Sequence, residues 1–199
     1  MIGGAAAVTA AGAFFVELGR VWRRGSAPMP ADAESVVEAA VEAAVETTDV
    51  AVAGYQAAPA QENALFNLFA SFVISLLLSR AIAFGLRDRR RLGPFRNVRV
   101  GRRHIHHFVP GIALAFVSGA IAIVTRDEDL EPKLALFFGA RMGMTMDEAA
   151  LLLELEDVYW TEEGLLSVQI GAGLVGLLGA LAIGLRFLRR GEQQVLPST

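Results

Sequence analysis

Residues 164–185 read GLLSVQIGAGLVGLLGALAIGL, an uncharged run that closes on Arg186, Arg189 and Arg190. As a helix rising about 1.5 Å per residue it reaches roughly 33 Å, enough to cross a bilayer's hydrocarbon core of ~30 Å. Two further runs repeat the signal. Residues 108–125 carry no charge, and residues 63–86 carry only Arg80. Over the 199 residues the hydrophobic share is 54% and the mean hydropathy is +0.46, too apolar for an ordinary soluble domain. The reading is all-α: a helical transmembrane bundle of four to five spans, with an additional Ala/Glu-rich helix between the first two.

Working outward, residues 1–24 form an N-terminal membrane helix or anchor. Its uncharged stretch 1–16 ends before Arg20, Trp22, Arg23 and Arg24, and it lacks the basic segment that opens a secretory signal. Residues 25–62 are hydrophilic, with Pro28, Pro30 and Pro59 as breakers. Within them Glu34, Glu38, Glu42 and Glu46 recur every four residues beside Val37, Val41 and Val45, which predicts a helix with an acidic ridge and a shallow apolar one. That ridge faces water or a basic partner. Residues 63–188 are the bundle and 189–199 a tail.

Inside the bundle, residues 87–107 form a basic loop. Eight of the seventeen arginines fall between 87 and 103, with Gly93-Pro94 in the middle. Such a loop between spans argues for a cytoplasmic position in a multi-pass protein of the cell membrane. Membrane lipids, through anionic headgroups, are its expected partners. With one aromatic, Phe95, and no recognisable module, it predicts no nucleic-acid binding. Arg80 is close enough to this basic end to snorkel towards it. Placing 87–103 inside, with five spans, leaves Arg20–24 and Arg186–190 outside, against the usual bias. A re-entrant 134–155 brings the C-terminus back inside but puts more polar backbone at membrane depth, so full spanning is preferred. Along the last span Ala172, Gly176, Ala180 and Gly184 make a smooth stripe, read equally as packing within the chain or as a homo- or hetero-oligomer contact.

The three histidines of the chain lie within four residues, His104, His106 and His107. Cysteine is absent, which removes disulfides, thiolate metal sites and a thiol nucleophile, so any metal here takes nitrogen and oxygen ligands. The spans around the acidic connector 126–133 must form an antiparallel hairpin with its midpoint near 129 and 130. Reflection through that midpoint brings His104–His107 level with 152–155, hence with Glu154 and, just beyond, Asp157. Asp147 then sits seven residues, about 10 Å, deeper. Asp147, Leu151 and Glu154 share one helical stripe, and Arg141, Thr145, Glu148 and Leu152 the next. Ionisable groups within a span cost roughly 2.5–3.5 kcal/mol each, so this helix is expected to line a polar cavity.

Imidazole and carboxylate together suit a divalent metal, Zn, Fe or Mn. The candidate ligands are His104, His106, His107, Glu154 and Asp157, with Asp147 and Glu148 as proton acceptors or outer-sphere groups. The spacing matches neither HExxH nor a complete desaturase histidine set, and pairing of the histidines with Glu154 or lipid phosphate is the plainer alternative. Three functions follow: a metalloenzyme acting on a lipid or lipid-linked substrate, a transporter or channel subunit using Arg141, Asp147 and Glu148, or a non-catalytic accessory protein. No phosphate-binding glycine loop and no serine elbow is present in the sequence.

Three motifs, His-Ile-His-His-Phe-Val-Pro-Gly at 104–111, Met-Asp-Glu-Ala-Ala-Leu-Leu-Leu at 146–153 and Leu-Glu-Asp-Val-Tyr-Trp at 155–160, carry a resemblance. In them the chain resembles a group of small, uncharacterised polytopic membrane proteins of high-GC bacteria, over about a third of its length. It departs from that group at Ala149, where the group carries a bulky aromatic. The resemblance implies that His104, His106, His107, Asp147, Glu148, Glu156, Asp157, Tyr159 and Trp160 act as one unit, without implying a reaction. Tyr159 and Trp160 also suit interfacial anchors, with a lid over the polar cavity as the other role.

Overall fold

The computed structural model describes residues 2–87, 91–92, 95–96, 99–100, 103–104, 108–125, 127–147 and 162–196. These residues form six helices: α1 (Ile2–Arg24), α2 (Val36–Gln56), α3 (Ala60–Arg87), α4 (Phe108–Thr125), α5 (Glu131–Asp147) and α6 (Glu162–Val195). The all-α class and the extra helix between the first two long apolar segments are therefore present. Inside the basic loop two short antiparallel pairings join Arg91–Leu92 to Phe95–Arg96 and Arg99–Val100 to Arg103–His104. At two residues a side they make no sheet layer.

Among the described residues two helices are long and apolar enough to cross a membrane, over Ala60–Ile82 and Gln169–Val195. Only 6% and 17% of these windows are buried, so neither is the core helix of a soluble fold. Ile74, Leu77 and Val175 stand more than half exposed. Water is a poor solvent for such a surface, and lipid a good one. Helix α4, Phe108–Thr125, is apolar and 18 residues long, so among the described residues two helices of full spanning length stand against the four to five spans expected.

The chain divides into two compact units. The first comprises Met1–Asn63 and Leu178–Thr199. Its core is Val21 of α1, Val50 of α2, and Leu188 and Leu196 from the C-terminal part of the chain. Helix α2 starts at Ser35, whose side chain accepts a hydrogen bond from the Glu38 N–H, the first half of a Ser-x-x-Glu capping box. Its buried face is Ala39, Ala43, Val50 and Gly54, while Val37, Val41 and Val45 are exposed. The expected apolar ridge is thus on the outside. The reason is closeness: a Cβ at Gly54 would collide with the Phe187 carbonyl, and one at Gly191 with the Val50 carbonyl. Only small residues allow α2 and α6 to approach so closely, and Tyr55 then packs edge-on against Phe187 at 5.4 Å.

The second unit is Ala64–Leu177. Here α4 and α5 form the expected antiparallel hairpin. Asp127 holds its turn, because its Oδ1 accepts from the N–H groups of Asp129 (2.9 Å) and Leu130 (3.1 Å). Gly111 faces Thr145 and Gly119 faces Phe138. These pairs place the midpoint near residue 128, slightly earlier than the connector's length suggested. Helix α5 lies parallel to α3 along Gly139, Gly143 and Asp147, a stripe with a four-residue period. A Cβ at Gly139 would meet the Leu68 carbonyl, and one at Gly143 the Phe72 carbonyl. This Gly-x-x-x-Gly contact is sealed by hydrogen bonds across it, Ser75 Oγ to the Ala140 carbonyl (2.5 Å) and Asn67 Nδ2 to the Pro132 carbonyl (2.9 Å). Helix α6 runs antiparallel to α3, with Gly176 against Val73 and Phe72 and Gly173 against Leu76. At Gly176 the small-residue stripe is used for packing within the chain.

Candidate functional site

Along the α3–α5–α6 contact the apolar packing gives way to charge at one level. Arg80 of α3 reaches Asp147, with Nε 2.8 Å from Oδ1. Its Nη2 donates to Gln169 Oε1 at 2.5 Å. Gln169 of α6 in turn donates through Nε2 to the carbonyls of Met146 (2.9 Å) and Asp147 (3.1 Å). Carbonyls in the last turn of a helix have no partner inside it, so Gln169 supplies one from a neighbouring helix. The Asp147 side chain is 3% exposed, that of Arg80 42%. The guanidinium is therefore committed to protein through Nε and Nη2, while the side chain as a whole stays partly exposed.

The physical requirement for this arrangement lies in α3. An isolated arginine in an apolar span is costly, and a carboxylate on the neighbouring helix removes most of that cost. Arg80, expected to snorkel towards the basic end, also has protein partners in reach in Asp147 and Gln169. A buried pair is weak evidence for stability, since desolvation offsets attraction, but it fixes register. Here three helices must align for one arginine, one aspartate and one glutamine to meet. Gln169 was missed by the sequence reading, although it is one of the two polar side chains in 164–185, with Ser167. The Gly139–Gly143–Asp147 stripe was legible as a Gly-x-x-x-Gly pattern that ends on an acid.

Of the proposed metal ligands, His104 lies among the described residues, with its backbone paired to Arg99. His106, His107, Glu154 and Asp157 lie outside them, as does Glu148. Among the described residues no three histidine, aspartate or glutamate side chains converge as a metal site. Asp147, expected as a proton acceptor, is engaged by Arg80. The hairpin register puts it opposite residues 109 and 110, nearer to the level of the histidines than the sequence suggested. Arg141, the other charge in this helix, donates to Met144 Sδ at 3.5 Å.

The first unit holds a second charged cluster of different build. Glu192 is clamped by Arg20 (2.8 Å) and Arg24 (2.9 Å), and Glu17 by Arg20 (2.8 Å) and Arg189. Glu62 takes Arg190 at 2.9 Å and Arg186 at 3.8 Å. Five of the six arginines in the two terminal basic groups are thus opposed by carboxylates. Near them an open groove of about 740 Å³ is lined by Val41, Val45, Glu42, Glu46, Asp49 and Leu196. Glu46 there holds the chain just after α1: the N–H and hydroxyl of Ser26 donate to Oε1 (2.6 and 2.9 Å) and the Ala27 N–H to Oε2 (3.1 Å). Burial alone would raise this carboxyl's pKa, but the three hydrogen bonds outweigh it and hold the group below the ordinary glutamate value. The groove's acids are occupied in tethering this chain or are open to solvent, and nothing catalytic converges there.

No protein family matches the chain, and neither a curated protein nor a solved structure is similar to it.

Proposed function

We propose that this chain is a multi-pass protein of the cell membrane whose working site is a histidine–carboxylate centre beside the basic loop. His104, His106, His107, Glu154 and Asp157 would bind a divalent metal there and act on a lipid or lipid-linked substrate. The observation that carries this reading is the Arg80–Asp147–Gln169 lock. It spends two charges and an amide on aligning three helices next to the segments that bear the histidines and the remaining acids, as a site needing rigid support requires. The apolar exposure of α3 and α6 supports the membrane setting, and the resemblance carried by 104–111, 146–153 and 155–160 is the ground for treating these residues as one unit. In this reading Asp147 is a positioning residue, and Glu148 remains the proton acceptor. The transporter alternative loses ground, because Arg80 already engages Asp147. The test is elemental analysis of the detergent-purified chain, wild type beside the variant with His104, His106 and His107 all changed to Ala. Wild type should carry near one metal per chain and the variant almost none. Equal metal content in the two would end the proposal.

A further inference from the structure

Below the Arg80 lock, between α3 and α6, lies a groove of about 430 Å³ lined by Leu76, Leu77 and Arg80 on one side and Gln169, Gly173 and Leu177 on the other. We infer that it is a binding site for an anionic phospholipid, with an acyl chain in the groove and the headgroup phosphate on the open part of Arg80. The inference does not depend on the histidine centre.

Three observations meet here. The two helices that form the groove are the two that are long and apolar enough to cross a membrane, so its mouth opens onto whatever solvates them. Leu77, 63% exposed, and Ile170, 55% exposed, flank that mouth as an apolar surface no protein group covers in this unit. Gly173 opens the floor: a Cβ there would make only ordinary contact with Leu76 Cδ2 at 3.5 Å, so the space exists because the side chain is absent. At the polar end the Arg80 side chain is 42% exposed while its inner edge holds Asp147 and Gln169. With Nε and Nη2 turned to Asp147 and Gln169, Nη1 is the donor that a phosphate oxygen would take, in a direction the other two contacts fix.

Charge selects the headgroup. Because Asp147 already balances Arg80, attraction for a net negative lipid must come from further along the chain. The sequence supplies it: beyond Arg80 the residues 87–103 hold eight arginines against one aspartate. Basic residues at a membrane boundary draw anionic lipids from the leaflet they touch. A zwitterionic lipid would fill the groove equally well but gain nothing from that run.

The test uses the full chain, delipidated in detergent and titrated with phosphatidylglycerol or phosphatidylcholine of identical acyl chains, with bound lipid counted by native mass spectrometry. Wild type should bind phosphatidylglycerol about tenfold more tightly than phosphatidylcholine. Changing Arg89, Arg90 and Arg91 together to Gln should cut that preference to about threefold or less, whereas Arg80→Gln should weaken both lipids by a similar factor. Gly173→Phe, which fills the floor and leaves Arg80 and its partners in place, should lose both lipids while keeping wild-type helix content by circular dichroism, so the site is tested even if the Arg80 variant fails to fold. Inorganic phosphate at millimolar concentration should displace neither lipid. Equal affinity of wild type for the two lipids, undiminished binding in Gly173→Phe, or displacement by phosphate alone would each overturn the assignment.

Discussion

Each unit buries a carboxylate against arginine, and the two solutions differ in setting. In the first unit Glu192 and Glu17 share Arg20 and draw further on Arg24 and Arg189, so each carboxylate has two cationic partners. These arginines keep between 36% and 63% of their side chains exposed and can return to water. In the second unit Asp147 meets Arg80, placed within an apolar span, and the amide of Gln169 ties the backbone beside it. The comparison separates charge that closes a surface from charge that aligns helices. An arginine at an aqueous surface can turn to water when a partner is lost, whereas one on an apolar span has less water to turn to.

The largest effect should therefore come from Asp147→Ala, which takes the carboxylate from Arg80, leaves it Gln169, and should cost about 3 kcal/mol. Glu192→Ala should cost less, about 1–2 kcal/mol, because Arg20 keeps Glu17 and Arg24 reaches solvent. Denaturant unfolding of the two variants side by side in one detergent tests the ranking, and a larger loss for Glu192→Ala would reverse the distinction between the units.

A smaller effect belongs to Glu46, which works alone at the edge of the first unit. Its carboxyl is lowered in the folded state, so its contribution is complete above the ordinary glutamate pKa and fades as pH falls through the lowered value. Glu46→Gln should cost about 1 kcal/mol at neutral pH and little in acid below that range. Wild type and variant should converge on acidification, which amide exchange at Ser26 and Ala27 can follow. A gap that persists unchanged in acid would show that the carboxylate charge is not what holds this segment.

Much of this architecture was legible from local patterns. An uncharged run bounded by polar residues is enough to set α4, found at Phe108–Thr125 as read, and the acidic connector is enough to make α4 and α5 an antiparallel hairpin. Helix α6 ran further than its apolar stretch, to Glu162 and Val195, because Arg189, Arg190 and Glu192 find partners in the first unit and need not end the helix. The buried face of α2 was not legible: in a segment so rich in alanine and valine the outer valines give the stronger periodic signal, while Gly54 and its closeness to Phe187 depend on a distant helix. For the site, the lone charges Arg80 and Asp147 were visible, but their pairing depends on the α3–α5 register, which Gly139 and Gly143 set and no single segment encodes. Of the remaining site residues, His106, His107, Glu148, Glu154 and Asp157 lie outside the described residues.

The central claim is that the Arg80–Asp147 pair holds the metal centre in place without being part of it. Metal content per chain in wild type, Asp147→Ala and the charge swap Arg80→Asp/Asp147→Arg tests this directly, since none of the proposed ligands is altered. The account predicts near one metal in wild type, a clear loss in Asp147→Ala and recovery in the swap. Equal metal in wild type and Asp147→Ala would contradict it.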